Sequence, residues 1–89
     1  MLDMDYCFSK NEQIICKELE GSSVLIDPYR RTLVRLNETG LEVWGRLDGK
    51  RSVMAIVEEL KEIFEIDEKS LVRDVVGFLD DLTRREIVS

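Results

Sequence analysis

Carboxylates and cationic side chains dominate the chemistry this sequence could perform: 19 Asp and Glu and 13 Lys and Arg stand among 89 residues, with no histidine. Without an imidazole there is no general base poised near neutral pH, no middle member for a nucleophilic triad and no histidine metal ligand. Two thiols, Cys7 and Cys16, lie nine positions apart, which is too few ligands for a zinc site and the wrong spacing for a Cys-X-X-Cys redox pair. They read as reduced, since one bridge so near one end would staple little of the chain. The five glycines are scattered and build no phosphate-cradling loop. Glu58, Glu59, Glu62, Asp80 and Asp81 fall on helical faces opposite apolar residues and read as solvated surface, not as paired catalytic carboxylates. These residue types point to a binding protein that is not an enzyme and carries neither metal nor cofactor.

Charge places the binding surface. The net charge of −6 and pI near 4.6 repel nucleic acid and anionic lipid. Residues 1–29 hold two basic and six acidic side chains and residues 52–89 five and ten, but residues 30–51 reverse the balance with six basic and three acidic. Arg30, Arg31, Arg35, Arg46, Lys50 and Arg51 are either a local attraction for an acidic ligand or merely a basic turn and loop. No apolar run approaches the length of a membrane span, and the acidic start Met1-Leu2-Asp3-Met4-Asp5 is unlike a signal peptide, so a cytoplasmic protein is expected.

The elements that must position such a surface are strands first and helices second. Residues 14–19 predict one strand, Gly21-Ser22-Ser23 a turn, Val24-Leu25-Ile26 a second strand, and Thr32–Leu36 a third after a turn set by Pro28. Alternation puts Thr32, Val34 and Leu36 on one face and Leu33 and Arg35 on the other. Short connections predict an antiparallel meander. Asn37, Ser52 and Asp67 each precede a helical pattern and read as N-caps. The first stripe is Leu41, Trp44, Leu47, ended by Asp48-Gly49; the second is Val53, Ile56, Val57, Leu60, Ile63, Phe64. The third is Val72, Val75, Leu79, Leu82, bordered by Leu71, Val76 and Phe78. Three short strands cannot cover these stripes from both sides, so a single α+β domain over residues 1–89 is expected, with about residues 1–12 as a flexible lead-in.

One ordered set of residues resembles a known family. Leu36-Asn37-Glu38-Thr39-Gly40, Val43-Trp44, Leu47-Asp48-Gly49 and Ser52-Val53 are followed by Ile56-Val57, Leu60, Val72, Asp74-Val75, Phe78-Leu79, Leu82 and Ile87-Val88. This series is similar to the PqqD family, and the resemblance covers roughly residues 14–88. The resemblance implies three antiparallel strands followed by a winged-helix-like trio of helices. It also implies a peptide-recognition element that holds the leader of a ribosomally made precursor peptide antiparallel on the third strand, in a groove shared with the third helix. The peptide is then delivered to a modifying enzyme, a radical S-adenosylmethionine enzyme or a lasso-peptide leader peptidase and cyclase.

Strand addition is the mechanism that fits, because an edge strand offers unpaired amides and carbonyls while flanking pockets select side chains. The matching positions are Thr32, Leu33, Val34 and Arg35 on the strand and Leu71, Asp74, Val75 and Phe78 on the helix. Residues of the types and placements of Val34, Val75 and Phe78 are more often plain core, and Asp74 can be read as a surface carboxylate alone. Two other readings stay open. One is a winged-helix DNA-binding protein, opposed by Asp67, Glu68, Asp74, Asp80, Asp81 and Glu86 around a helix that offers only Lys69, Arg73, Arg84 and Arg85. The other is an adaptor that uses the same edge to join a different chain or itself, so that the expected state is a monomer or a weak dimer.

Overall fold

Alternation along residues 15–36 becomes three strands, β1 Ile15–Leu19, β2 Ser22–Asp27 and β3 Thr32–Leu36, in a computed structural model that describes residues 2–89. They pair antiparallel in the order β1-β2-β3, with Ile15, Ile26 and Leu33 in one cross-strand row and Cys16, Leu25 and Val34 in the next. Leu19 pairs with Ser22, so Ser22 and Ser23 belong to β2 and not to a turn. The turn is Glu20-Gly21, with φ of 49° and 81°. Positive φ at both central residues is what a two-residue hairpin of the I′ class requires. In the longer β2–β3 turn, the side chain of Asp27, only 2% exposed, accepts from Tyr29 N at 3.0 Å and Arg30 N at 3.2 Å. That carboxylate replaces hydrogen bonds the turn's amides would otherwise lack.

The three capping residues act as their types suggest. Asn37, Ser52 and Asp67 accept from Gly40 N, Ala55 N and Ser70 N, opening α1 Glu38–Trp44, α2 Val53–Lys61 and α3 Glu68–Arg84. Their stripes differ in detail from the spacing read in sequence. Gly40, Val43 and Trp44 are the buried residues of α1 and Leu41 is exposed, while after Trp44 the chain tightens through hydrogen bonds from Arg46 N to Val43 O and from Leu47 N to Trp44 O, and Leu47 is buried. On α3 the centre of the buried stripe is Leu71, Val75, Leu79, Leu82, with Val72 at its border. Ile63 lies beyond the end of α2 and is exposed. One continuous core joins Leu25 and Leu36 of the sheet to all three helices. Burying these side chains contributes about 1.5–3 kcal/mol each before the chain's entropy is charged against them.

Of residues 1–12, expected to be a flexible lead-in, residue 1 lies outside the described residues and residues 2–12 are docked. Val53 N donates to Tyr6 O and Met54 N to Met4 O, so the N-terminal segment satisfies amides at the start of α2. Further on, Ser9 and Ser89 exchange backbone hydrogen bonds of 2.8 and 3.0 Å, Asn11 N donates to Ile87 O, and Phe8 is buried. Partners nearly eighty residues away leave no local trace in sequence. Gly49, at φ 78°, receives this segment closely: a Cβ there would lie 2.6 Å from Ser9 Oγ. Cys7 and Cys16 are unpaired. Among the described residues no helix is long and apolar enough to cross a membrane.

Candidate functional site

Because β2 occupies the middle of the sheet, β3 has one edge without a strand partner among the described residues. Its side chains divide by alternation. Leu36 is buried in the core and Val34 packs half-buried against it, which turns Leu33 and Arg35 to the other face. Leu33 is 55% exposed there, in a row with Ile15 and Ile26. On this outer face Leu19, Val24, Leu33 and Arg35 line a shallow hollow of about 440 Å³.

A second hollow, of about 330 Å³, lies where the end of β3 meets α1 and α3, and is lined by Ser22, Arg35, Leu36, Asn37 and Phe78. Phe78 reaches it because residue 40 is a glycine: a Cβ there would lie 3.3 Å from Phe78 Cε1 and 3.2 Å from the capping oxygen of Asn37. The site residues expected on α3 therefore separate by depth. Phe78 is half-buried at the hollow and Asp74 is exposed, whereas Leu71 and Val75 are wholly buried beneath them in the core. Thr32, at the other end of β3, donates through its hydroxyl to Arg30 O. Arg30 in turn donates to Arg85 O at 3.2 Å and pairs with Glu86, so the β2–β3 turn is moored to the C-terminal end of α3. That mooring and the Gly40 contact hold β3 and α3 at fixed spacing at both ends. Gly40, Asn37 and Arg30 were not among the site residues expected from sequence, since only the fold reveals which element each one spaces.

The basic stretch proves to be divided by ion pairs. Arg46 bonds Glu42 at 2.7 Å and Glu59 at 3.0 Å, and Arg51 bonds Asp48 at 3.0 Å and Glu59 at 2.9 Å. The hydrogen bond that Arg46 donates to the Glu42 carboxylate raises the Arg46 pKa above its ordinary value, against the opposing effect of burial. Of the six cations, Arg31, Arg35 and Lys50 enter no ion pair among the described residues. Only Arg31 and Arg35 of these stand at the strand, and Arg35 alone lines both hollows. No group of three metal-binding side chains occurs among the described residues.

Comparison with known proteins adds three observations. The family model described as coenzyme PQQ synthesis protein D (PqqD) matches residues 22–88, which takes in β2, β3 and every helix. A PqqA binding protein of Azotobacter vinelandii is 36% identical over 52 residues, 58% of this chain and 55% of that protein, so the chain spans about half the length of this relative. Among solved structures, a lasso peptide synthetase B1 complexed with the leader peptide superposes with a TM-score of 0.80 at 19% identity, covering 93% of this chain and 98% of that one. TbiB1 in complex with the TbiA(beta) leader peptide gives 0.77 at 20% identity, covering 91% and 94%. At these identities the likeness establishes a shared fold.

Proposed function

This chain belongs to the PqqD family, and we propose that it is a non-catalytic module that captures the leader segment of a precursor peptide by strand addition to β3 and delivers it to a modifying enzyme. The observation that carries the reading is the free edge of β3, with an exposed Leu33 and an unpaired Arg35 beside it and the Phe78 hollow at its end. An extended peptide laid along Thr32–Leu36 would continue the ladder that β2 begins on the other side. Its side chains would alternate between the outer face, where Leu33 and Arg35 stand, and the α3 side, where Asp74 and Phe78 stand. Leu71 and Val75 would act from below by fixing the position of α3. Main-chain bonds supply affinity in such a mode and the hollows supply selectivity.

Relatives support the reading in their own terms: one is a PqqA binding protein and two fold neighbours hold leader peptides. The modifying enzyme would be a radical S-adenosylmethionine enzyme or a leader peptidase with its cyclase, and the chain would work as a cytoplasmic monomer or weak dimer. Fluorescence anisotropy of the labelled leader and core segments of a candidate precursor peptide tests the function. Saturable binding of the leader and none of the core segment alone is the expected result; equal binding of both contradicts leader recognition.

A further inference from the structure

A third hollow lies on the far flank of α3. Taking about 100° of turn per residue, Val72 and Val76 project on one side of the Leu71-Val75-Leu79-Leu82 stripe and Asp74 and Phe78 on the other. The hollow on the Val72 side measures about 410 Å³. Its apolar lining comes from three elements: Leu2 and Met4 of the N-terminal segment, Met54 of α2, and Val72 and Val76 of α3. It exists because Met4 O accepts from Met54 N, which lays residues 2–4 beside the start of α2. Two cations complete it, Lys69 and Arg73, one helical turn apart and both exposed. Neither enters an ion pair among the described residues, although the chain is acidic overall and Arg73 lies near enough to Asp67 to help lower its pKa. Asp80 is the carboxylate that follows on this flank, two turns beyond Arg73 and outside the hollow.

We infer that this groove docks an acidic amphipathic helix of the partner enzyme, its apolar side chains entering between Met4, Met54, Val72 and Val76 and two of its carboxylates meeting Lys69 and Arg73. The groove runs between a helix pair and an extended segment, the setting in which a helix lays an apolar stripe into a channel. Methionines make its walls adaptable to the shape of that stripe. Two cations on a chain of charge −6 are too few to hold an anionic membrane, but are enough to orient a helix that carries carboxylates one turn apart. The inference rests on the reading of this chain as a leader carrier and adds how the enzyme is engaged. Because the two flanks of α3 are separate, leader and enzyme could be held at once, raising the effective concentration of one toward the other.

The test uses the full chain, labelled for amide and methionine-methyl NMR, and two synthetic helical peptides that share one apolar stripe. One carries two glutamates a turn apart beside the stripe, the other two lysines. The expected result is saturable shifts at Met4, Met54, Val72 and Val76 with the glutamate peptide, which binds roughly fivefold or more tightly than the lysine peptide at low salt. The double variant Lys69→Glu, Arg73→Glu, folded by circular dichroism, should reverse that preference and bind a leader peptide unchanged. Equal binding of both peptides, shifts caused by dodecanoate alone, or shifts that grow with protein concentration alone would each overturn the inference. Failure of the leader to bind, with the groove behaving as described, would instead overturn the carrier reading and leave the groove standing.

Discussion

Gly40 and Phe78 meet without a side chain between them: a Cβ on Gly40 would stand 3.3 Å from Cε1 of the Phe78 ring and 3.4 Å from Cζ. This contact between α1 and α3 sets where the ring sits at the end of β3. Replacing glycine by alanine inside a helix ordinarily stabilises by about 1 kcal/mol, and here the gain is opposed by crowding against Phe78 and the Asn37 cap. Gly40→Ala is expected to change folding stability by less than about 1 kcal/mol while weakening leader binding several-fold, as the ring is pushed across the hollow. Thermal unfolding together with calorimetric titration separates the two effects; unchanged affinity would remove Phe78 from the site.

Neighbouring residues of an edge strand direct their amides to opposite sides, one toward β2 and one outward. Leu33→Pro and Val34→Pro should therefore behave differently. One removes an outward donor and abolishes leader binding in a folded protein, while the other removes a ladder bond to β2 and destabilises by about 3 kcal/mol. Circular dichroism melts with binding curves distinguish them, and two folded variants that both bind like the parent would place the leader elsewhere.

Arg35 lines both hollows at β3 and has no ion-pair partner among the described residues. Arg35→Glu should weaken an acidic leader most at low salt, with the difference fading as ionic strength shortens the screening length to about 10 Å at 0.1 M. Titrations at two salt concentrations check this. A loss independent of salt would assign Arg35 a packing role instead.

Asp27 holds the turn that delivers β3, through its bonds from Tyr29 N and Arg30 N. Asp27→Ala leaves those amides without their acceptor and should cost about 1–3 kcal/mol in urea unfolding, with Asp27→Asn costing less because an oxygen remains. Equal losses for the two variants would show that charge, not the acceptor, matters there.

Two exposed carboxylates give a pH signature. The pKa of Asp48 is held below its ordinary 3.8 by the amides of Lys50 and then Arg51, and that of Asp67 by the Ser70 hydroxyl and then the Ser70 amide. A depressed folded pKa stabilises at pH values above the unfolded one, and the contribution disappears as pH falls through the folded value. The advantage of the parent over Asp67→Asn or Asp48→Asn should thus be full at neutral pH and shrink below about pH 3.8. Denaturant midpoints across that range decide it, and a constant difference would contradict the assignment.

Local chemistry explains which parts of this molecule were legible in its sequence. The three caps, the alternation in β3 and the strands-then-helices order are properties of neighbouring residues, and each is found in place. Features set by distant contacts were not legible. The lead-in docks on Ile87 and Ser89, Leu71 takes the centre of its stripe, and Arg46 and Arg51 are drawn from the basic stretch to Glu59. The same limit applied to the site, since nothing near Phe78 in sequence indicates the glycine that leaves it room.

Leader capture on the β3 edge is tested most directly by an amide chemical-shift titration of the labelled chain with the leader peptide and, separately, with a mixed-sequence DNA duplex. Strand addition predicts saturable shifts along residues 32–36 and at Asp74 and Phe78 with the leader alone. Shifts with DNA alone, or leader-induced shifts that leave residues 32–36 untouched, would contradict it.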